Sequence, residues 1–219
     1  MLRLICILLS ILPSSASAAI LFGEVTGGTA FSAGGVFVEL VDLDTVVVGA
    51  NRYDDANLRA FNERQNVVTD SVIQTNVGRN VEAGEVVASH YVVFDPDDHE
   101  NVEGTIYFDA PIIGVVTNGG ELTDTDCLAN SLVTYDHVER RGLNANDVVT
   151  LFAVEPNRLD VMILARSPGD FIRVLTETSQ LAIDLGISEL VAPAPSAGVL
   201  MVLGAVGWAA ASRAYMVRA

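Results

Sequence analysis

Five carboxylates stand within nine residues, at Asp95, Asp97, Asp98, Glu100 and Glu103. Clustered carboxylate oxygens are what a hard cation collects, so this loop is the candidate metal site and Ca²⁺ the candidate cofactor. It does not follow the EF-hand pattern: counting from Asp95, the sixth position is Glu100, where that loop needs glycine. The alternative is a solvated acidic turn. Asp124 with Asp126, and Asp42 with Asp44, repeat the idea with fewer ligands.

Other constellations are thinner. The histidines, His90, His99 and His137, include no pair four residues apart, and one cysteine outside the leader, Cys127, cannot complete a zinc finger. His90 shares a strand face with Val92 and Phe94, which suits a hydrogen-bonded core histidine. Ser89, a histidine and an aspartate make a triad on paper only, because no Gly-x-Ser-x-Gly elbow presents the serine. A glycosidase needs two facing carboxylates, and with 28 acidic residues any pair can be nominated, so that signal is empty. Tyr53, Tyr91, Tyr107 and Tyr135 can stack on sugars, but the only tryptophan, Trp208, lies in the tail. Arg141, Asp147, Asp170 and Arg173 sit beside turns, where a guanidinium can fix a loop carboxylate through paired hydrogen bonds. These four are expected to form structural ion pairs, with an Arg–Asp contact joining the Arg141 turn to Asp147 or to the Asp170 turn. No catalytic residue is assigned, and the expectation is a protein that is not an enzyme.

The elements that must carry these residues read as short strands. Apolar or β-branched runs fall at 36–40, 41–48, 58–61, 67–77, 85–94, 103–110, 112–117, 147–154, 159–164 and 170–176. Gly, Pro, Asn and Asp punctuate them, while 19–35 is Gly-rich and weakly patterned. That rhythm predicts an all-β fold, an antiparallel β-sandwich over residues 19–176, with a jelly roll as one version of it. Residues 177–195 carry period-two apolar positions and read as a final edge strand or a spacer ending in the motif Pro193-Ala194-Pro195.

Both ends read as membrane-directed. Arg3, an apolar stretch over 4–12 and Ala16-Ser17-Ala18 make a secretory signal peptide, residues 1–18, removed by signal peptidase before Ala19. Residues 196–219 read as a C-terminal membrane anchor, one transmembrane helix with a basic end at Arg213 and Arg218. The uncharged core 197–211 makes a helix of roughly 22 Å, against ~30 Å of bilayer hydrocarbon; the whole charge-free run 191–212 is long enough, but Pro193 and Pro195 disfavour helix across its start. Trp208 and Tyr215 suit headgroup level, and the arginines belong on the cytoplasmic side. The body between contains every acidic residue, and the whole chain carries a net charge of −16. Such a surface repels phosphate backbones, which disfavours nucleic acid as a partner.

A proline motif, a hydrophobic segment and a basic end, here Pro193-Ala194-Pro195, 196–212 and Arg213 with Arg218, resemble the PEP-CTERM sorting signal of Gram-negative bacteria. Ala194 stands where that family most often has Glu. The resemblance implies processing by an exosortase-type membrane protease, and a cell-surface or extracellular destination in association with extracellular polysaccharide. The segments Ser89-His90-Tyr91-Val92-Val93-Phe94-Asp95-Pro96, Arg141-Gly142-Leu143 and Ser167-Pro168-Gly169-Asp170-Phe171-Ile172-Arg173-Val174 are also similar to exported domains that precede such tails. They imply export and a β-rich fold.

Overall fold

A computed structural model describes residues 18–49, 51–136 and 141–178. In chain order it contains β1 (Ile20–Gly27), helix α1 (Gly28–Ser32), β2 (Phe37–Glu39), β3 (Val47–Val48), β4 (Leu58–Asn62), β5 (Val67–Val68) and β6 (Val77–Gly78). There follow β7 (Val86–Phe94), β8 (Glu100–Phe108), β9 (Ile112–Val116), helix α2 (Gly119–Asp124), β10 (Thr134–Tyr135), β11 (Val148–Leu151), β12 (Arg158–Ala165) and β13 (Asp170–Glu177). Two 3-10 turns occupy Leu43–Thr45 and Asp126–Leu128. Among the described residues no helix is long and apolar enough to cross a membrane. Residues 1–17, which hold most of the expected signal peptide 1–18, and 179–219, with Pro193, Ala194, Pro195, Arg213 and Arg218, lie outside the described residues.

The strands form antiparallel and mixed sheets. One sheet runs β1-β8-β12-β11, antiparallel throughout. The larger runs β2-β4-β7-β13-β9-β6, with β5 beside β7; it is antiparallel except where β2 meets β4 in parallel. A parallel pair, β10 with β3, lies outside both. The main core fills the space between the sheets: Val102, Ile106 and Phe108 of β8 and Leu159, Val161 and Ile163 of β12 meet Val92 and Phe94 of β7 and Ile172 and Val174 of β13.

The larger sheet has a second buried face. Val87, Tyr91 and Val93 of β7 and Phe171 and Leu175 of β13 turn away from the sandwich onto Val46, Val48, Ile73, Val81, Leu122, Leu128 and Val133. The segments between strands therefore form a third layer. This explains why β7 and β13 are apolar at successive positions: a strand covered on both faces has no solvent side to make polar.

Three expected elements differ. The Gly-rich 19–35 stretch forms β1, paired with β8, and α1 rather than an irregular lead-in, and the Phe37 ring packs on Gly23, 2.5 Å from where a Cβ would stand. The expected strand over 41–48 is a 3-10 turn followed by the two-residue β3, which pairs with β10 instead of entering a main sheet. The 67–77 run breaks into β5, a bridge between Ile73 and Val81, and β6. Val67 and Ile73 of this run pack on the covered face of the larger sheet, Val77 packs toward the main core, and Val68 and Val72 are exposed.

Candidate functional site

Arg173 stands in the middle of β13 with its side chain fully buried on the covered face of the larger sheet. An isolated buried charge costs many kcal/mol, so its surroundings must neutralise it. They do so completely. Arg173 Nε and Nη2 donate to the Glu63 carboxylate at 2.7 and 2.9 Å. Its Nη1 donates to Thr125 Oγ1 at 2.6 Å and to the Leu122 carbonyl at 2.9 Å, and Nη2 also reaches Asp126 at 3.1 Å. Asp126 in turn accepts two bonds from Arg141, whose Nε and Nη2 also donate to the Tyr91 hydroxyl. Glu63 accepts further bonds from Ser89 and from the Tyr135 hydroxyl, at 2.5 and 2.6 Å. Burial alone pushes the Asp126 carboxyl up, but the guanidinium groups of Arg141 and Arg173 carry it below the ordinary carboxylate range.

The expected ion pairs are corrected here. Arg141 and Arg173 do bind carboxylates, but the partners are Asp126 and Glu63, and neither arginine pairs with Asp147 or Asp170 among the described residues. The reason is strand alternation. Asp170 and Arg173 are three positions apart on β13 and so project to opposite faces of the sheet.

Asp170 opens β13 opposite Phe94 of β7 and lines a cleft of about 710 Å³. The cleft walls are the 142–146 loop, Leu164 at the end of β12, the turn Arg166-Ser167-Pro168-Gly169, and His99. The Ser167–Pro168 peptide is cis. Gly169 takes φ +84, and a Cβ there would sit 2.7 Å from the Phe94 carbonyl oxygen, so the turn packs backbone directly on the end of β7. Asp170 is 5% exposed, and among the described residues its carboxyl accepts only from Asn144 Nδ2, at 3.1 and 3.2 Å. Asp147 accepts from the Asn144 and Leu164 backbone N–H groups, which ties the loop to β12. Burial, and then the charge of Asp147, push Asp170 up to about 7, with the Asn144 bond opposing. The side chains of Arg166 and His99, both exposed, make no hydrogen bond or ion pair among the described residues.

The acidic loop does not assemble. Asp95, fully buried, turns one oxygen onto the Arg52 and Tyr53 N–H groups at 2.8 and 3.0 Å, while Asp97 and Asp98 point to solvent. Strand β8 begins at Glu100, so Glu100 and Glu103 occupy opposite faces of it. Among the described residues no three acidic, histidine or cysteine side chains gather around one cation-sized centre. Asp126, a weaker metal candidate, is the hub of the two arginines instead. His90 is fully buried between Asn62 Oδ1 (2.7 Å) and Thr176 Oγ1 (3.1 Å), its ring 4.8 Å from that of Phe108. Burial lowers its pKa to about 3, so it is a neutral core residue. His137 lies outside the described residues.

Sequence reasoning missed Glu63 and Asn144. The signal for the first was present: an arginine inside the apolar run Phe171-Ile172-Arg173-Val174-Leu175 requires a distant buried carboxylate. No family model, no curated protein and no solved structure matches the chain.

Proposed function

We propose that this chain is an exported, transiently membrane-anchored protein whose β-sandwich body is displayed at the cell surface or in the extracellular matrix without a catalytic role. The leader 1–18 directs export and is removed by signal peptidase. Residues 196–212 hold the precursor in the lipid bilayer with Arg213 and Arg218 on the cytoplasmic side, until an exosortase-type protease acts near Pro193-Ala194-Pro195. Extracellular polysaccharide is the expected neighbour.

The observation that carries this reading is where the body's two ends lie. Ala18 packs against Ala88 and Ala110, Ile20 faces Phe108, and Thr176 pairs with Ala88. Entry and exit thus share one pole. Asp170 stands at the other end of β13, and the seven-residue step to Glu177 spans roughly 24 Å of strand. A tail that leaves toward a membrane holds the cleft around Asp170 away from it.

A second reading, a binding module for a small polar ligand, is favoured by that same cleft. Its lining is largely polar, and Arg166 and His99 at its rim have no partner among the described residues. The two readings are compatible.

Protease treatment of spheroplasts that express the full chain with a tag after Ala219 tests the first. The expected product is a short, membrane-bound, tag-bearing fragment, with the body digested. A body that stays protected, or a chain recovered in cytosol, ends the export reading.

A further inference from the structure

Ala19 and Asp109 are tied twice. The Ala19 N–H donates to Asp109 Oδ1 at 2.8 Å, and the Asp109 N–H donates to the Ala19 carbonyl at 3.0 Å. On either side the chain is fixed: Ala18 is fully buried beside Ala88 and Ala110, and Ile20 donates to Asn62 Oδ1 at 3.3 Å and faces Phe108 across β8. A carboxylate is thus held against the nitrogen of the first residue after the expected leader.

We propose that Asp109 is the receptor for the α-ammonium of Ala19 in the processed protein. This rests on the export reading, in which the cut falls between Ala18 and Ala19. Hydrolysis adds one water across that amide. The C–N bond breaks, the water oxygen joins the Ala18 carbonyl carbon, and the Ala19 nitrogen leaves as an amine that is protonated at neutral pH. In the folded chain that nitrogen's place is 2.8 Å from a carboxylate oxygen, so the position that takes an amide donor takes a full cation without rearrangement. The processed chain lacks Ala18 and its contact with the two alanines, and the ion pair holds the new end at the place the peptide occupies in the uncut chain.

The order of events follows from the same contacts. In the folded body Ala18 is buried and Ala19 is bonded through both its N–H and its carbonyl, so the scissile bond is not presented to a protease. The cut precedes folding, and folding docks the end it creates.

The chain contains no lysine, so a processed molecule carries a single primary amine, that of Ala19. Protein purified from an expressing host is weighed by mass spectrometry and then treated with an amine-selective reagent at pH 8, folded and in urea. We expect a mass lacking residues 1–18 and folded-state labelling about fourfold slower than in urea, the effect at pH 8 of one pKa unit on the neutral fraction of an α-amine. Asp109→Asn closes most of that gap, and Asp109→Glu retains part of it, with circular dichroism showing both variants folded. Equal labelling rates in the folded wild type and Asp109→Asn overturn the proposal while leaving the export reading standing. A mass that retains residues 1–18 overturns both.

Discussion

Asp170 and Arg173 lie on one strand, both almost wholly buried, yet they live in opposite circumstances. Arg173 faces the third layer and meets Glu63, Asp126, Thr125 and a backbone carbonyl. Asp170 faces the cleft and meets one side-chain amide, with a second carboxylate nearby. In the first region burial is matched by an opposite charge, and the result is a fixed joint between β13, the segment after β4 and the α2 region. In the second it is not matched, so the group gives up its charge near neutral pH. A buried ionisable group without a counter-ion is a point at which the molecule responds to its surroundings, whereas a fully paired one is a point at which it does not.

The comparison breaks most visibly at Arg173. Arg173→Ala leaves Glu63 buried without its main cation, and about 3–5 kcal/mol of stability is expected to be lost in urea unfolding. The paired replacement Arg173→Met with Glu63→Leu is expected to cost less than Arg173→Ala alone. An additive loss would show that the pair is not coupled.

Asp170 is expected to govern the pH dependence. Its folded pKa of about 7 lies above the ordinary carboxylate value, so the folded state holds the proton more tightly than the unfolded chain. The stability it contributes is fully present below the unfolded pKa, near 4, and is lost as pH rises through about 7. The span is on the order of 4 kcal/mol. Asp170→Asn removes this slope, and a variant that keeps it shows that another group titrates.

Tyr135→Phe deletes a donor to the buried Glu63 carboxylate, and a loss of about 1.5–3 kcal/mol is expected in thermal unfolding. The smallest effect belongs to the loop that looked most like a site. Asp97→Asn and Asp98→Asn are expected to change stability by no more than about 0.5 kcal/mol, and a larger shift would mean that these exposed carboxylates have partners.

The strands with strong local patterns were legible in advance. The 85–94 and 170–176 runs became β7 and β13, the centre of the larger sheet; 58–61, where helical spacing competed, became β4. The short strands of the third layer were not, since two-residue pieces such as β3 and β10 exist only through pairing with each other. Within the candidate site, Arg141, Asp147, Asp170 and Arg173 all proved to be fixed by polar contacts, but the pairing among them was misread. In the acidic loop, spacing that clusters carboxylates in irregular backbone puts Glu100 and Glu103 on opposite faces once a strand starts at Glu100.

Composition and periodicity by themselves determined the β-rich class, the location of the main strands and the burial of His90, because each depends on residues close together in the chain. Which charge meets which was decided only in three dimensions. Glu63 and Arg173 are 110 residues apart, and Asp109 and Ala19 are 90 apart. Partnerships across such separations arise from sheet order and strand facing, which local sequence does not encode.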